Sequence, residues 1–187
     1  MLYRSLMLLS RIACRTPRPI LLALGWLLGN LYYLIIAKMR RRAVAHMMPA
    51  LGIDEEAAKK LVRASFINMA RNFLDILAMP MLNESNFRDY IEIDHLERMQ
   101  EALAEGHGVV VLTGHIGCWE WLSAAFTLNG IPVSAIAKPQ PNIEYTRVLD
   151  DLRATIHVEI FSRGTSELIA AARALKRGRL LGFLADQ

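Results

Sequence analysis

Cysteine is scarce in this chain. Only Cys14 and Cys118 occur in 187 residues, and neither has a partner at metal-ligand or redox spacing, so no disulfide framework is implied. That scarcity fits a reducing, cytoplasmic setting for the main domain. Acidic residues are missing altogether from positions 1 to 42, which carry eight Lys/Arg. The rest of the chain holds 14 basic residues (22 minus 8) against 18 acidic ones, a balance of −4 inside a whole-chain charge of +4. A nucleic-acid-binding protein spreads positive charge over the binding face of its folded domain. Here the charge is confined to an apolar N-terminus, which points to a membrane surface and away from nucleic acid. Low-complexity segments, repeats and the His-Glu-x-x-His arrangement are also absent, so no metal site is expected.

What is present divides the chain into three stretches. Between Arg18 and Lys38 the run from Pro19 to Ala37 holds no charge. At about 1.5 Å per residue it nearly spans a hydrocarbon core. Trp26, Tyr32 and Tyr33 suit interfacial positions, and Lys38, Arg40, Arg41 and Arg42 form the cluster expected at a cytoplasmic edge. Arg4, Arg11, Arg15 and Arg18 balance that cluster, so charge alone leaves the orientation open. A buried core helix stays open as the alternative, because Gly25, Gly29 and Asn30 interrupt the run. Residues 1–42 are read as an anchor with basic flanks and 43–89 as a helical connector. Within the connector, a helix is expected from Asp54 to Met79, stopped by Pro80.

From residue 90 onward, short apolar or β-rich runs alternate with capped helices. Strands are expected at Tyr90–Ile93, Val109–Leu112, Val133–Ala137, Val158–Phe161 and Leu180–Leu184. The helices between them include one opened by an Asp94/Glu97 capping box and closed by Gly106. The pattern predicts an α/β fold, a mostly parallel sheet with helices on both faces, over residues 90–187. Strand Leu180–Leu184 runs into Ala185-Asp186-Gln187 where a βα unit would continue. The chain is therefore expected to be a fragment of a longer protein, or to end unusually abruptly.

Val109-Val110-Val111-Leu112-Thr113-Gly114-His115 brings a histidine to the carboxyl end of a strand, the edge at which open α/β sheets bind ligands. With His115 in the strand-to-helix turn and Glu120 in the first turn of the next helix, the carboxylate can reach back. Gly114 and Gly117 allow the tight turn and close approach of a substrate to the backbone. Such a pair supports general base catalysis: the imidazole takes a hydroxyl proton while the carboxylate fixes its tautomer. An alcohol can then attack a thioester directly, with no serine or cysteine nucleophile and no cofactor. Cys118, beside Gly117 in an apolar helix, reads as a small hydrophobe and not a nucleophile. His46, His95, His107 and His157 read as exposed or loop residues, and Arg173, Arg177 and Arg179 as carbonyl-capping, water-facing side chains.

The segment Thr113-Gly114-His115-Ile116-Gly117-Cys118-Trp119-Glu120-Trp121 resembles the H-x4-E block of the bacterial lipid A biosynthesis (lauroyl/myristoyl) acyltransferase family. The likeness extends over the whole chain: an N-terminal membrane segment followed by Arg40-Arg41-Arg42, then Lys138-Pro139, Leu152-Arg153, Arg163-Gly164 and Leu184-Ala185-Asp186-Gln187. Family members continue beyond that point with a Gly/Pro/Phe-rich segment. The resemblance implies the glycerolipid acyltransferase-like fold, His115 as base and Glu120 as its partner. It further implies acyl carrier protein as donor, a lipid A precursor hydroxyl as acceptor, and a catalytic core on the cytoplasmic face of the inner membrane. Lys138, Arg153, Arg163 and Asp186 would contact substrate, the basic ones through the acceptor's phosphates. The chain departs from the pattern where Lys138 replaces the usual arginine, His157 the usual glycine, and His46-Met47 the usual Asn-Leu. Another membrane glycolipid, such as a phosphatidylinositol mannoside, is the alternative acceptor. A membrane-bound thioesterase or hydrolase and a non-catalytic membrane module are the rival classes.

Overall fold

The computed structural model describes residues 1–162 and 164–186. In chain order these form α1 (Leu2–Arg15), α2 (Arg18–Ile35), α3 (Ala37–Leu51), α4 (Glu55–Ala78), α5 (Leu96–Ala104), β1 (Val109–Thr113), α6 (Trp119–Thr127), β2 (Val133–Ile136), α7 (Ile143–Ala154), β3 (Glu159–Phe161), α8 (Thr165–Lys176) and β4 (Leu180–Leu184). They belong to two compact units: Arg15–Asp75, and Met1–Cys14 together with the chain from Ile76 onward.

In the helical unit, Pro19 sits in the first turn of α2, where its fixed φ favours helix and its missing N–H costs nothing. Gly25 and Gly29 lie one turn apart against α4. A Cβ on Gly29 would stand 2.4 Å from the Ile67 Cα, and one on Gly25 would stand 2.6 Å from Arg71 Cγ. The two helices therefore meet at backbone distance, which only the smallest residue permits. Asn30 is satisfied on that side too, donating to the Trp26 carbonyl at 2.7 Å and accepting from Arg63 Nε at 2.6 Å. Leu24, Trp26, Leu27, Leu28, Leu31, Leu34 and Ile35 are all exposed. A buried core helix does not describe this element. By length and composition it is long and apolar enough to cross a membrane. Val44, Ala58, Val62 and Phe66 form the core between α3 and α4. The expected connector helix is α4: Asp54 Oδ1 accepts the Ala57 N–H at 2.8 Å, and a 3-10 turn at Met79–Met81 carries Pro80.

The second unit opens with α1, which the sequence reading merges into the anchor. Leu6, Ser10 and Ala13 face inward, with Ser10 Oγ donating to the Leu77 carbonyl at 2.7 Å. Leu8, Leu9 and Ile12 face outward. The sheet has the order β1-β4-β2-β3, with every pairing parallel. Successive side chains of a strand point to opposite faces. One face packs Val133 and Leu180, with Val111, against Phe126 of α6 and Leu96, Met99 and Leu103 of α5. The other packs Leu181 and Phe161 against Ala171 and Ala174 of α8. The expected α/β architecture is therefore present. The cover is uneven: α8 joins β3 to β4 and leaves the outer strand β1 bare on its side, where Val110 and Leu112 are 50% and 71% exposed.

Two local expectations are corrected. Tyr90–Ile93 forms no strand, and a 3-10 turn at Phe87–Asp89 leads into unpaired chain. Its β-rich composition describes side chains suited to a half-buried surface, and no neighbouring strand is there to pair with. The Asp94/Glu97 capping box does not form either. His95 takes the N-cap position at φ 58, which moves Glu97 one place too early for the reciprocal bond, and Glu97 meets His95 Nδ1 at 3.0 Å instead. His157 also has φ 58. That left-handed conformation suits glycine, the residue the resemblance places there. His46, His95, His107 and His157 are all exposed, as expected.

Candidate active site

In a parallel sheet all strands end at the same edge, so the residues that follow them share a crevice. Gly114-His115 follows β1, Ala137-Lys138 follows β2, Ser162 follows β3 and Ala185-Asp186 follows β4. Because β1 and β4 are neighbours, with Thr113 opposite Leu184 and the Ala185 N–H donating to the Thr113 carbonyl at 2.9 Å, the residues beyond them meet. His115 and Asp186 do so twice. The backbone N–H of His115 donates to Asp186 Oδ2 at 2.7 Å, and its ring Nδ1 lies 2.8 Å from Asp186 Oδ1. Those bonds hold the Asp186 carboxyl below the usual carboxylate range, the backbone bond contributing most and the ring bond next.

Gly114 makes this contact possible. A Cβ there would stand 3.1 Å from Asp186 Oδ2, closer than the carboxylate normally tolerates. The turn closes with Ile116 N–H on the Gly114 carbonyl at 2.8 Å and with Gly117 at φ 58. Trp119, the first residue of α6, meets the His115 ring edge-on at 4.7 Å between centroids. The imidazole is thus held from two sides, by a carboxylate at Nδ1 and by an indole at its rim.

Glu120 lies in the first turn of α6, where the helix dipole favours an anion. Its side chain is only 6% exposed, and both carboxylate oxygens face Arg153: Nε to Oε2 at 2.9 Å and Nη2 to Oε1 at 2.6 Å. This bidentate pair joins the last turn of α7 to the first turn of α6. Burial opposes the charge on Arg153, but the bonds and negative charge of Glu120 outweigh it and hold the guanidinium above its ordinary pKa. Among the described residues, then, His115 is paired with Asp186 and Glu120 with Arg153.

Lys138 and Arg153 line one small recess with Asp150 and Thr146, about 30 Å³ in volume, room for about one water. Arg163 lies outside the described residues. Arg177 and Arg179 do more than cap a helix: Arg177 pairs with Glu159 at 3.0 Å, and Arg179 donates to Ser134 Oγ at 2.8 Å and to the Val133 carbonyl at 2.7 Å. They tie β2, β3 and β4 together at the end of the sheet opposite the crevice. Among the described residues no group of three or more His, Cys, Asp or Glu side chains is placed to hold a metal ion.

The sequence reading places Asp186 at the site but as a substrate contact. Its partnership with His115 depends on β4 lying beside β1, which no local pattern encodes. The one available signal is that both residues stand at the same offset, two positions beyond a strand's end.

A search of curated proteins returned no match. A family model described as bacterial lipid A biosynthesis acyltransferase matches residues 4–187. With the β1 turn carrying His115 and an apolar helix ahead of the α/β unit, the chain belongs to the bacterial lipid A biosynthesis acyltransferase family.

Proposed function

We propose that this acyltransferase moves a fatty acyl group from an acyl carrier protein thioester to a hydroxyl of a phosphorylated lipid A precursor, with His115 as general base. The observation that carries the reading is the carboxylate on His115 Nδ1. With that nitrogen donating its proton to Asp186, the lone pair lies on Nε2, and the side chain is 30% exposed and open to a substrate. Nε2 takes the acceptor's hydroxyl proton as the oxygen adds to the thioester carbonyl. Collapse of the tetrahedral intermediate forms the ester, breaks the carbon–sulfur bond, and returns the proton to the departing thiol.

Glu120 supports this chemistry from its ion pair with Arg153, fixing the helix that presents Trp119 to the imidazole. Lys138, exposed beyond β2, is the basic group at this edge positioned to meet an acceptor phosphate. The exposed apolar face of α2 anchors the protein in the inner membrane, with the α/β unit on the cytoplasmic side, where carrier protein is available.

The test supplies radiolabelled acyl carrier protein to purified protein in mixed micelles, with and without the glycolipid acceptor. Acceptor-dependent ester formation is expected, and His115→Ala should lower it by roughly 10³-fold or more. Labelled free acid released at the same rate without acceptor would identify a thioesterase instead. Ester formation undiminished in His115→Ala would overturn the base assignment.

A further inference from the structure

Two carboxylates are candidates to partner His115, Glu120 close by in the chain and Asp186 beyond β4, and they are bound in different ways. Glu120 is buried, with both oxygens taken by one guanidinium. Turning it toward His115 would leave Arg153, whose side chain is 14% exposed, with the looser 3.7 Å contact to the more exposed Asp150 in place of a bidentate one. Asp186 has the opposite setting. It is 42% exposed, and each of its two oxygens bonds His115, one at the backbone and one at the ring. The backbone bond fixes the carboxylate relative to the turn, so the ring bond sets the rotation of the imidazole as well as its tautomer. Gly114 supplies the space, since any larger residue would crowd the same oxygen.

We propose that Asp186 is the residue that positions His115, holding its Nδ1 proton and leaving Nε2 as the base, while the Glu120–Arg153 pair is a fixed strut between α6 and α7. Asp186 reaches the reaction only through His115, which makes it a positioning residue. The inference rests on His115 being the base.

Two measurements on the full chain in detergent micelles test it. The first uses protein labelled with ¹⁵N-histidine. The Nδ1–H tautomer of His115, assigned by its loss in His115→Ala, is expected for the neutral ring in the wild type. A wild-type His115 carrying its proton on Nε2 would overturn the proposal whether or not any Asp186 variant folds. The second is steady-state kinetics of Asp186→Asn and Asp186→Glu. The carboxamide can offer Nδ1 an N–H and so favour the wrong tautomer. Asp186→Asn should therefore lower kcat by about 10²-fold or more, with KM for donor and acceptor within about threefold. Asp186→Glu should recover part of the loss. An Asp186→Asn enzyme with kcat within threefold of wild type, or one whose loss lies in KM for the acceptor, would overturn the proposal in favour of substrate binding. If His115→Ala itself remains active, the base assignment fails. If His115→Ala is inactive and Asp186→Asn is not, this inference alone fails.

Discussion

Two side-chain pairs, Glu120–Arg153 and His115–Asp186, start from residues of the same turn and helix start in this enzyme. Glu120–Arg153 is shielded, its side chains 6% and 14% exposed, whereas His115–Asp186 is 30% and 42% exposed. Burial makes the first pair costly to separate, because Glu120 would be left charged in a dry place and Arg153 would keep only the looser 3.7 Å contact to Asp150 among the described residues. Exposure leaves the second pair in contact with water, which screens it. The carboxylate nearer in sequence to the histidine is thus the buried one, held by a guanidinium, and the more distant one is the exposed one that meets the imidazole.

The sharpest way to break that contrast is to remove one member of the buried pair. Glu120→Leu or Arg153→Met alone should lower stability by about 3–5 kcal/mol. The double variant, which replaces the pair with apolar side chains of similar bulk, should be far less damaged than either single change. Thermal unfolding in detergent checks this. Single variants that melt like wild type would show that the pair is no strut.

Gly114→Ala probes the exposed pair more gently. The new methyl would press on Asp186 Oδ2 from 3.1 Å, and a carboxylate at the end of a side chain can yield by a few tenths of an ångström. Acyl transfer should fall about tenfold, equivalent to about 1.4 kcal/mol of barrier, while the melting temperature hardly moves. An unchanged rate would mean that the His115–Asp186 spacing is unimportant.

The smallest effect is electrostatic. The folded Asp186 carboxyl lies below its ordinary value. Its bonds to His115 therefore stabilise the fold above that value and are lost as pH falls through the folded one. The stability difference between wild type and Asp186→Asn should be flat above about pH 5 and should narrow from about pH 4 downward. Melting curves across that range test the sign, and a gap that widens toward acid would contradict it.

Much of this was legible locally. The βα alternation shows in apolar runs stopped by glycine, and β4 falls where its apolar run predicts it. His115 stands out because a glycine and an apolar strand precede it. The pairing of carboxylates was not legible, because it depends on strand order and on which helix ends meet. Asp186 is 71 residues from His115, and Arg153 is 33 from Glu120. The separate character of α1 was hidden for a different reason: it adjoins the apolar run directly, and its packing against Leu77, with Tyr3 Oη donating to Asp151 at 2.5 Å, lies far along the chain.

The insertion of β4 between β1 and β2 also sets an order of events. During synthesis β1 emerges well before the strand that will lie beside it, and parallel pairings between distant segments are slow to form. The histidine turn can therefore close early, but its carboxylate arrives only when β4 pairs with β1. Until then His115 lacks the carboxylate at its Nδ1, so the turn and its partner come together in two steps separated by most of the synthesis of the α/β unit.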